Sequence, residues 1–309
     1  MSDRKCWIDH SGIVLHSVDG FDIIHCESCG FKHIIPIPDE EELERIYKHE
    51  YHVKDKPLML QHQLEDKEWH AATATARLEA IEKQLKRKGS ILDIGSGNGF
   101  FMKQAVELGW QAKGVEPADK AVEYCHSIGL DVIHGVFDQQ CADSIGKFDV
   151  VHLWEVLEHL PDPAGMLDLC RQVLNPGGMV VIGVPNDYNE LQKIMSEDLG
   201  EKPWWLAPPH HINFFNRSSL ERLLRRLDFE PLHYEITFPM ELFLLMGKNY
   251  LHDPDMGREC HAMRKELELT LTRTGNRDVL DKLYESFAEA GFGRHAVLMA
   301  GKTTNIRNI

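Results

Sequence analysis

Leu92-Asp93-Ile94-Gly95-Ser96-Gly97-Asn98-Gly99-Phe100-Phe101 is the stretch that decides how this chain is read. A short apolar run ends in three alternating glycines, then turns into a helix-forming segment. Glycine accepts positive φ and lets backbone come close to a ligand. The layout therefore predicts a cofactor loop at the C-terminal edge of an α/β sheet. A dinucleotide fingerprint needs its third glycine at position 100, where Phe100 stands. No Gly-Lys-Ser/Thr follows to make a P-loop.

Strands and helices alternate outward from this loop. The patterns predict strands over 90–94, 110–116, 130–134, 148–154 and 179–184, and helices over 100–108, 118–128 and 163–174. Such a rhythm specifies a mostly parallel sheet covered on both faces. Asn216 is placed to cap a helix over 218–227, and a strand is expected near 231–236. Glu116 ends the second strand, across the crevice from the glycines, where a carboxylate accepts both hydroxyls of a ribose. Three glycines alone make only a tight turn. The order of strand, glycine turn, helix and acidic strand end carries the cofactor reading.

The expected fold class is α/β: a Rossmann-like, seven-stranded, mostly parallel sheet with helices on both faces. A small N-terminal zinc-ribbon-like module precedes it, and a helical insertion comes before the last strand. The expected units are the module at 1–40, a helical linker at 41–88, the cofactor-binding core at 89–236, the insertion at 237–294, and the last strand with its tail at 295–309.

The chain has 309 residues, 43% of them hydrophobic, and a net charge of -15 from 34 basic and 49 acidic residues. That charge speaks against a nucleic-acid backbone as partner. The start lacks the pattern of a signal peptide, and the apolar run Phe238–Met246 is short and interrupted by Glu241. The expected location is cytoplasmic, with no membrane partner.

Three of the seven cysteines fall in the first 29 residues. Cys6 and His10 form C-x3-H, and Cys26 and Cys29 form C-x2-C, a donor set suited to tetrahedral structural zinc. Asp9 and His25 are alternative ligands, and a metal-free hairpin with free thiols is the plainer reading. Cys125, Cys141, Cys170 and Cys260 are scattered and read as ordinary packing residues.

The run Pro208-Pro209-His210-His211-Ile212-Asn213-Phe214-Phe215 follows the fifth strand, on the ligand-binding edge of the sheet. His210 or His211 there is placed to take a proton from an acceptor hydroxyl or amine. Trp204 and Trp205 read either as an apolar lid or as packing. Tyr188 is a candidate wall. Met240, Glu241 and Tyr250 in the insertion are candidate acceptor contacts, though the same apolar pattern suits a homodimer surface. Arg258, His261 and Arg264 read as an anion contact or as a solvated helix face.

The ordered set of motifs resembles the class I S-adenosylmethionine-dependent methyltransferases. It comprises Leu92–Gly99, Gly114-Val115-Glu116-Pro117, Phe148-Asp149-Val150-Val151 running into Trp154-Glu155-Val156-Leu157-Glu158-His159, Leu174-Asn175-Pro176-Gly177-Gly178, and Val184-Pro185-Asn186. The resemblance implies that Asp93, Gly95, Ser96, Gly97, Gly99 and Phe100 face the methionine part of the donor. It implies that Glu116 holds the ribose, with Pro117 beside it among the cofactor-binding residues, that Phe137 and Asp138 hold the adenine, and that Trp154 and Glu155 line the pocket. Relatives often carry an N-terminal pair of C-x2-C knuckles, from which Asp9 and His10 depart here. The implied activity is methyl transfer to a small biosynthetic acceptor, foremost O-methylation of a sugar or nucleotide-linked sugar. Nitrogen or carbon acceptors, and a non-catalytic cofactor-binding scaffold with a protein partner on its zinc module, remain the alternatives.

Overall fold

The structure, a computed structural model, describes residues 10–39, 42–43 and 59–303. Three antiparallel strands come first: β1 (Gly12–Val18), β2 (Phe21–Cys26) and β3 (Lys32–Ile35). Helices α1 (Met59–Glu65) and α2 (Lys67–Leu85) lead into β4 (Ser90–Ile94), α3 (Phe100–Glu107), β5 (Gln111–Glu116), α4 (Asp119–Ser127) and β6 (Val132–His134). Then come α5 (Gln139–Ser144), β7 (Phe148–Trp154), α6 (Pro163–Val173), β8 (Leu174–Pro185), α7 (Glu190–Lys193), β9 (Asn213–Phe214), α8 (Arg217–Arg226) and β10 (Phe229–Ile236). The insertion supplies α9 (Glu241–Leu245), α10 (Pro254–Arg273) and α11 (Arg277–Glu289), and β11 (His295–Lys302) closes the fold. Asn216 caps α8 through a reciprocal pair of bonds with Ser219.

The main sheet has seven strands in the order β10-β11-β8-β7-β4-β5-β6. Its pairs from β8 through β6 are parallel, and β11 and β10 add on antiparallel. Strand β7 is buried along nearly its whole length, as a central strand covered on both faces must be. Leu92, Ile94, Val151, Leu153, Val180 and Ile182 pack on one face against Leu167, Leu220 and Leu224 of α6 and α8. Ile91, Val150, Val181 and Val297 pack on the other against Leu78 and Ile81 of α2. The sequence pattern suggests a linker for this helix. At roughly 1.5–3 kcal/mol per buried aliphatic side chain, α2 is instead a layer of the core.

A second sheet runs β1-β2-β3-β9. Its last strand belongs to the core, because Lys32 pairs with Phe214 and His33 with Asn213. Ile23 and Ile34 pack there with Trp205, Leu206, Ile212 and Phe214, with Tyr188 and Trp204 alongside. The tryptophan pair thus joins the N-terminal sheet to the core.

The insertion folds back on α2. Glu268 accepts from Trp69 and Tyr284, Asp66 accepts from His261 and Lys265, and the Arg264 guanidinium lies 4.5 Å from the Trp69 ring centre. Arg258 pairs with Asp255. His261 and Arg264 are therefore occupied by helix packing, which overturns their reading as an anion contact. No helix among the described residues is long and apolar enough to cross a membrane.

Candidate active site and metal cluster

Five loops converge at the C-terminal edge of β4–β8, where open α/β sheets bind ligands. The first holds Gly95, Gly97 and Gly99 at φ of 71°, 52° and 71°. A Cβ on Gly95 would lie 2.7 Å from Val156, and one on Gly99 2.5 Å from Leu130. Side chains are excluded there by packing as well as by φ. The Gly97 N–H donates to Glu116 Oε2 at 2.8 Å, and the Ala118 N–H to Oε1 at 2.9 Å. Burial raises the Glu116 pKa above its usual value, and these two amide bonds oppose the rise.

Asp93 lies below the loop. His152 Nδ1 donates to Asp93 Oδ1 at 2.7 Å, and His152 Nε2 faces Arg77 Nη1 at 3.3 Å. Burial lowers the His152 pKa, so a neutral imidazole bridges the carboxylate and the guanidinium. The imidazole stacks on Phe101 at 3.9 Å between ring centres. Arg77 in turn lies 3.5 Å from the Trp154 ring centre, and burial lowers its pKa to about 10. The Trp154 ring covers Gly183, where a Cβ would come within 2.2 Å of it. Glu155 sits at a positive φ of 53° and accepts from His295 Nε2 at 2.7 Å.

Phe100 packs against His70, with ring centres 5.2 Å apart, and Ser96 lies in the glycine loop beside Gly114. The Pro117 carbonyl accepts from His134 at 3.2 Å. Phe137 is buried, and Asp138 caps α5 by accepting from the Cys141 N–H at 2.8 Å. Both border an open depression of about 510 Å³ shared with Leu160, Pro161 and Met166.

The histidine run lies against the loop after β7. His159 Nδ1 donates to the His210 carbonyl at 2.7 Å, and the Ile212 N–H donates to the Glu158 carbonyl at 2.7 Å. The His159 and His211 rings meet edge-on at 5.0 Å. Ligand-type atoms of Glu158, His159 and His211 all lie within 4.8 Å of one another, a three-donor arrangement that also suits a divalent cation. Burial, helped by His159, pushes the His211 pKa down to about 3, so its ring is neutral at physiological pH. Beyond β8, Asp187 and Glu241 are buried and repel each other, and burial pushes Asp187 up to about 8. Glu241 Oε1 lies 3.3 Å from Gln192 Nε2 and 3.5 Å from Asn189 Nδ2. Met240 and Tyr250 pack in the insertion's own cluster with Phe238, Phe243 and Cys260.

Among the described residues, Cys26, Cys29, His10 and His33 come together in the N-terminal module, with all four ligand atoms within 4.8 Å of one another. His10 Nδ1 lies 3.3 Å from Cys26 Sγ, 3.5 Å from Cys29 Sγ and 2.8 Å from His33 Nε2. His33 Nδ1 donates to the Ile34 carbonyl at 2.9 Å, which fixes its tautomer and turns the Nε2 lone pair to the cluster. Two thiols and two imidazoles fit tetrahedral zinc. Cys6 and Asp9 lie outside the described residues, and His25 is exposed. The other described cysteines are free thiols.

Several of these residues escaped the sequence reading. His33 carries a local signal, its spacing of four from Cys29. Arg77, His152 and Asp187 sit in segments that read as ordinary helix, strand and loop, and only the sheet register and helix packing bring them to the site.

Residues 60–234, more than half of the chain, match the methyltransferase domain family, and the chain belongs to that family. Its fold is that of the class I S-adenosylmethionine-dependent methyltransferases. It is 32% identical over 165 residues to a ubiquinone biosynthesis O-methyltransferase of Aromatoleum aromaticum, covering 50% of this chain and 70% of that protein. It is also 32% identical over 117 residues to the same enzyme of Xanthomonas axonopodis pv. citri, covering 36% and 49%. In most of these matches the chain spans about half the length of the curated relatives. Among solved structures, the 1,6-didemethyltoxoflavin-N1-methyltransferase of Burkholderia thailandensis aligns with a TM-score of 0.51 at 16% identity, covering 93% of this chain and 98% of that one. That likeness concerns the fold alone.

Proposed function

We propose that this chain transfers the methyl group of S-adenosylmethionine to a small-molecule acceptor at oxygen, a sugar or nucleotide-linked sugar being the favoured class. Glu116 holds the ribose. Gly95, Ser96, Gly97, Gly99, Phe100 and Asp93 face the methionine part, Pro117, Phe137 and Asp138 the adenine side, and Trp154 and Glu155 the floor. The sulfonium arrives activated, so the protein's part is to align donor and acceptor and to take up the acceptor proton. His211 is the base in this reading, with His210 holding the loop through His159. Tyr188, Trp204, Trp205, Met240, Glu241 and Tyr250 bound the acceptor side, and the 237–294 insertion caps it. The named activity of the ubiquinone-biosynthesis relatives supports an oxygen acceptor.

One observation carries the reading: a neutral, half-buried His211 packed on the loop after β7, beside the strand ends whose loops are proposed for the donor. The test is calorimetric titration with S-adenosylmethionine and with NAD, followed by methyl transfer to candidate acceptors. Binding of NAD alone would sink the proposal.

The cluster of Glu158, His159 and His211 supports a second reading of the same ring, as ligand to a divalent cation that lowers the pKa of the acceptor hydroxyl. Restoration of turnover by added Mg²⁺ or Mn²⁺ after dialysis favours it. Metal-independent turnover favours the base. In the N-terminal module, His10, Cys26, Cys29 and His33 are the proposed holders of a structural zinc, which takes no part in the chemistry.

A further inference from the structure

The metal cluster and the acceptor loop are joined by a short, continuous set of bonds. His33 is both a member of the cluster and a residue of β3, where it pairs with Asn213. The next residue, Ile34, donates its N–H to the Ile212 carbonyl at 2.9 Å. The Asn213 side chain then donates to the carbonyls of Leu157 and Leu160 at 2.8 and 2.7 Å, gripping the turn that carries Glu158 and His159. The Ile212 N–H bond to the Glu158 carbonyl closes the circuit. From the other side, α8 clamps the knuckle itself. Arg222 donates to the Gly30 carbonyl at 2.7 Å, and Arg226 to those of Ser28 and Cys29 at 3.1 and 3.3 Å. Phe31 packs on Phe215, with ring centres 4.9 Å apart.

We propose that metal bound through His33 sets the position of the His210–Asn213 loop, so that metal occupancy controls methyl transfer and leaves donor binding intact. The inference rests on the zinc and methyl-transfer readings above. Its physical basis is that β9 is only two residues long and borrows its order from β3. Strand β3 has four residues, and the cluster holds it through one of them. The bonds that shape the donor loop, Gly97 to Glu116 and His152 to Asp93, involve no residue of the N-terminal module.

The test uses the full chain purified with zinc, its His33→Gln variant, and Asn213→Ala, which keeps every proposed ligand. Four quantities are measured: zinc per chain, S-adenosylhomocysteine affinity by calorimetry, hydrogen exchange at Ile34 and Ile212, and methyl transfer. The parent is expected to hold about one zinc, and His33→Gln to lose it. Exchange at both amides should then quicken roughly tenfold or more, a local opening, while S-adenosylhomocysteine affinity stays within about twofold. Asn213→Ala should keep zinc yet speed exchange at Ile212 and slow transfer. The brace is overturned if His33→Gln loses zinc without faster exchange, or if Asn213→Ala leaves exchange and transfer unchanged. A parent without zinc, or a His33→Gln variant that retains it, overturns the ligand assignment. Donor affinity falling together with overall stability overturns the separation of the two sites. In each of these cases the methyl-transfer reading stands or falls separately, on turnover of the parent.

Discussion

Gly97 donates its backbone N–H to the Glu116 carboxylate at 2.8 Å, so the residue proposed to hold the ribose also holds the glycine loop in shape. The other oxygen of that carboxylate takes the Ala118 N–H. Glu116→Gln cannot serve both amides, because one of them must then face an NH₂ group. A hydrogen bond to a charged group contributes roughly 1.5–3 kcal/mol. We expect S-adenosylmethionine affinity to fall by about one to two orders of magnitude, with the fold intact by circular dichroism. Unchanged affinity would remove Glu116 from the donor site.

His211 is held neutral by burial, with a pKa near 3 against an ordinary 6.5. A group whose pKa is lowered stays in its basic form down to that lower value. If it is the base, turnover should show no acidic limb near pH 6.5, and His211→Gln should cut kcat by roughly 10²–10⁴-fold with little change in donor affinity. A limb at pH 6.5 that persists in the variant would assign proton uptake elsewhere.

His152 bridges Asp93 and Arg77 in the core, and His152→Leu leaves both charges without it. Losing a buried hydrogen bond to a charged group typically costs about 1.5–3 kcal/mol. Urea unfolding should show a loss of that order. A change below about 1 kcal/mol would mean that water replaces the ring.

Asp149 lies at the opposite end of the sheet from the glycine loop. It accepts from Arg87 at 2.8 Å, from the Ser90 N–H at 2.9 Å and from Asn175 at 2.9 Å. Arg87 foremost, aided by the Ser90 and Asn175 bonds, holds its carboxyl well below the usual carboxylate range. The stabilisation is fully present above the unfolded carboxylate pKa, about 3.9, and is lost as pH falls toward the lower folded value. Asp149→Asn should therefore lower the melting temperature at neutral pH and narrow its gap to the parent below about pH 3, without changing donor affinity.

The α/β rhythm, the loop from Gly95 to Gly99 and the Asn216 cap were legible because each is local. A strand, a turn that needs positive φ and a capping side chain are written in consecutive residues. The place of Glu116 at a strand end beside the glycines, and the closeness of Cys26 and Cys29, were legible for the same reason. The α2 layer was not: its apolar positions are sparse, and only the sheet shows which of them are buried.

By itself the sequence carried the methyltransferase class, because its ordered motifs from Leu92 to Asn186 resemble those of the class I enzymes. It also determined that thiols and an imidazole cluster near the start. The tertiary structure decided the rest. It brought His33 into the cluster, completed the N-terminal sheet with Asn213 and Phe214, placed His211 against His159, and put His152 between Asp93 and Arg77. Apart from His33 and Cys29, which lie four residues apart, these pairings join residues distant in the chain. Their partners are set by strand register and the packing of whole layers, which local sequence patterns do not encode.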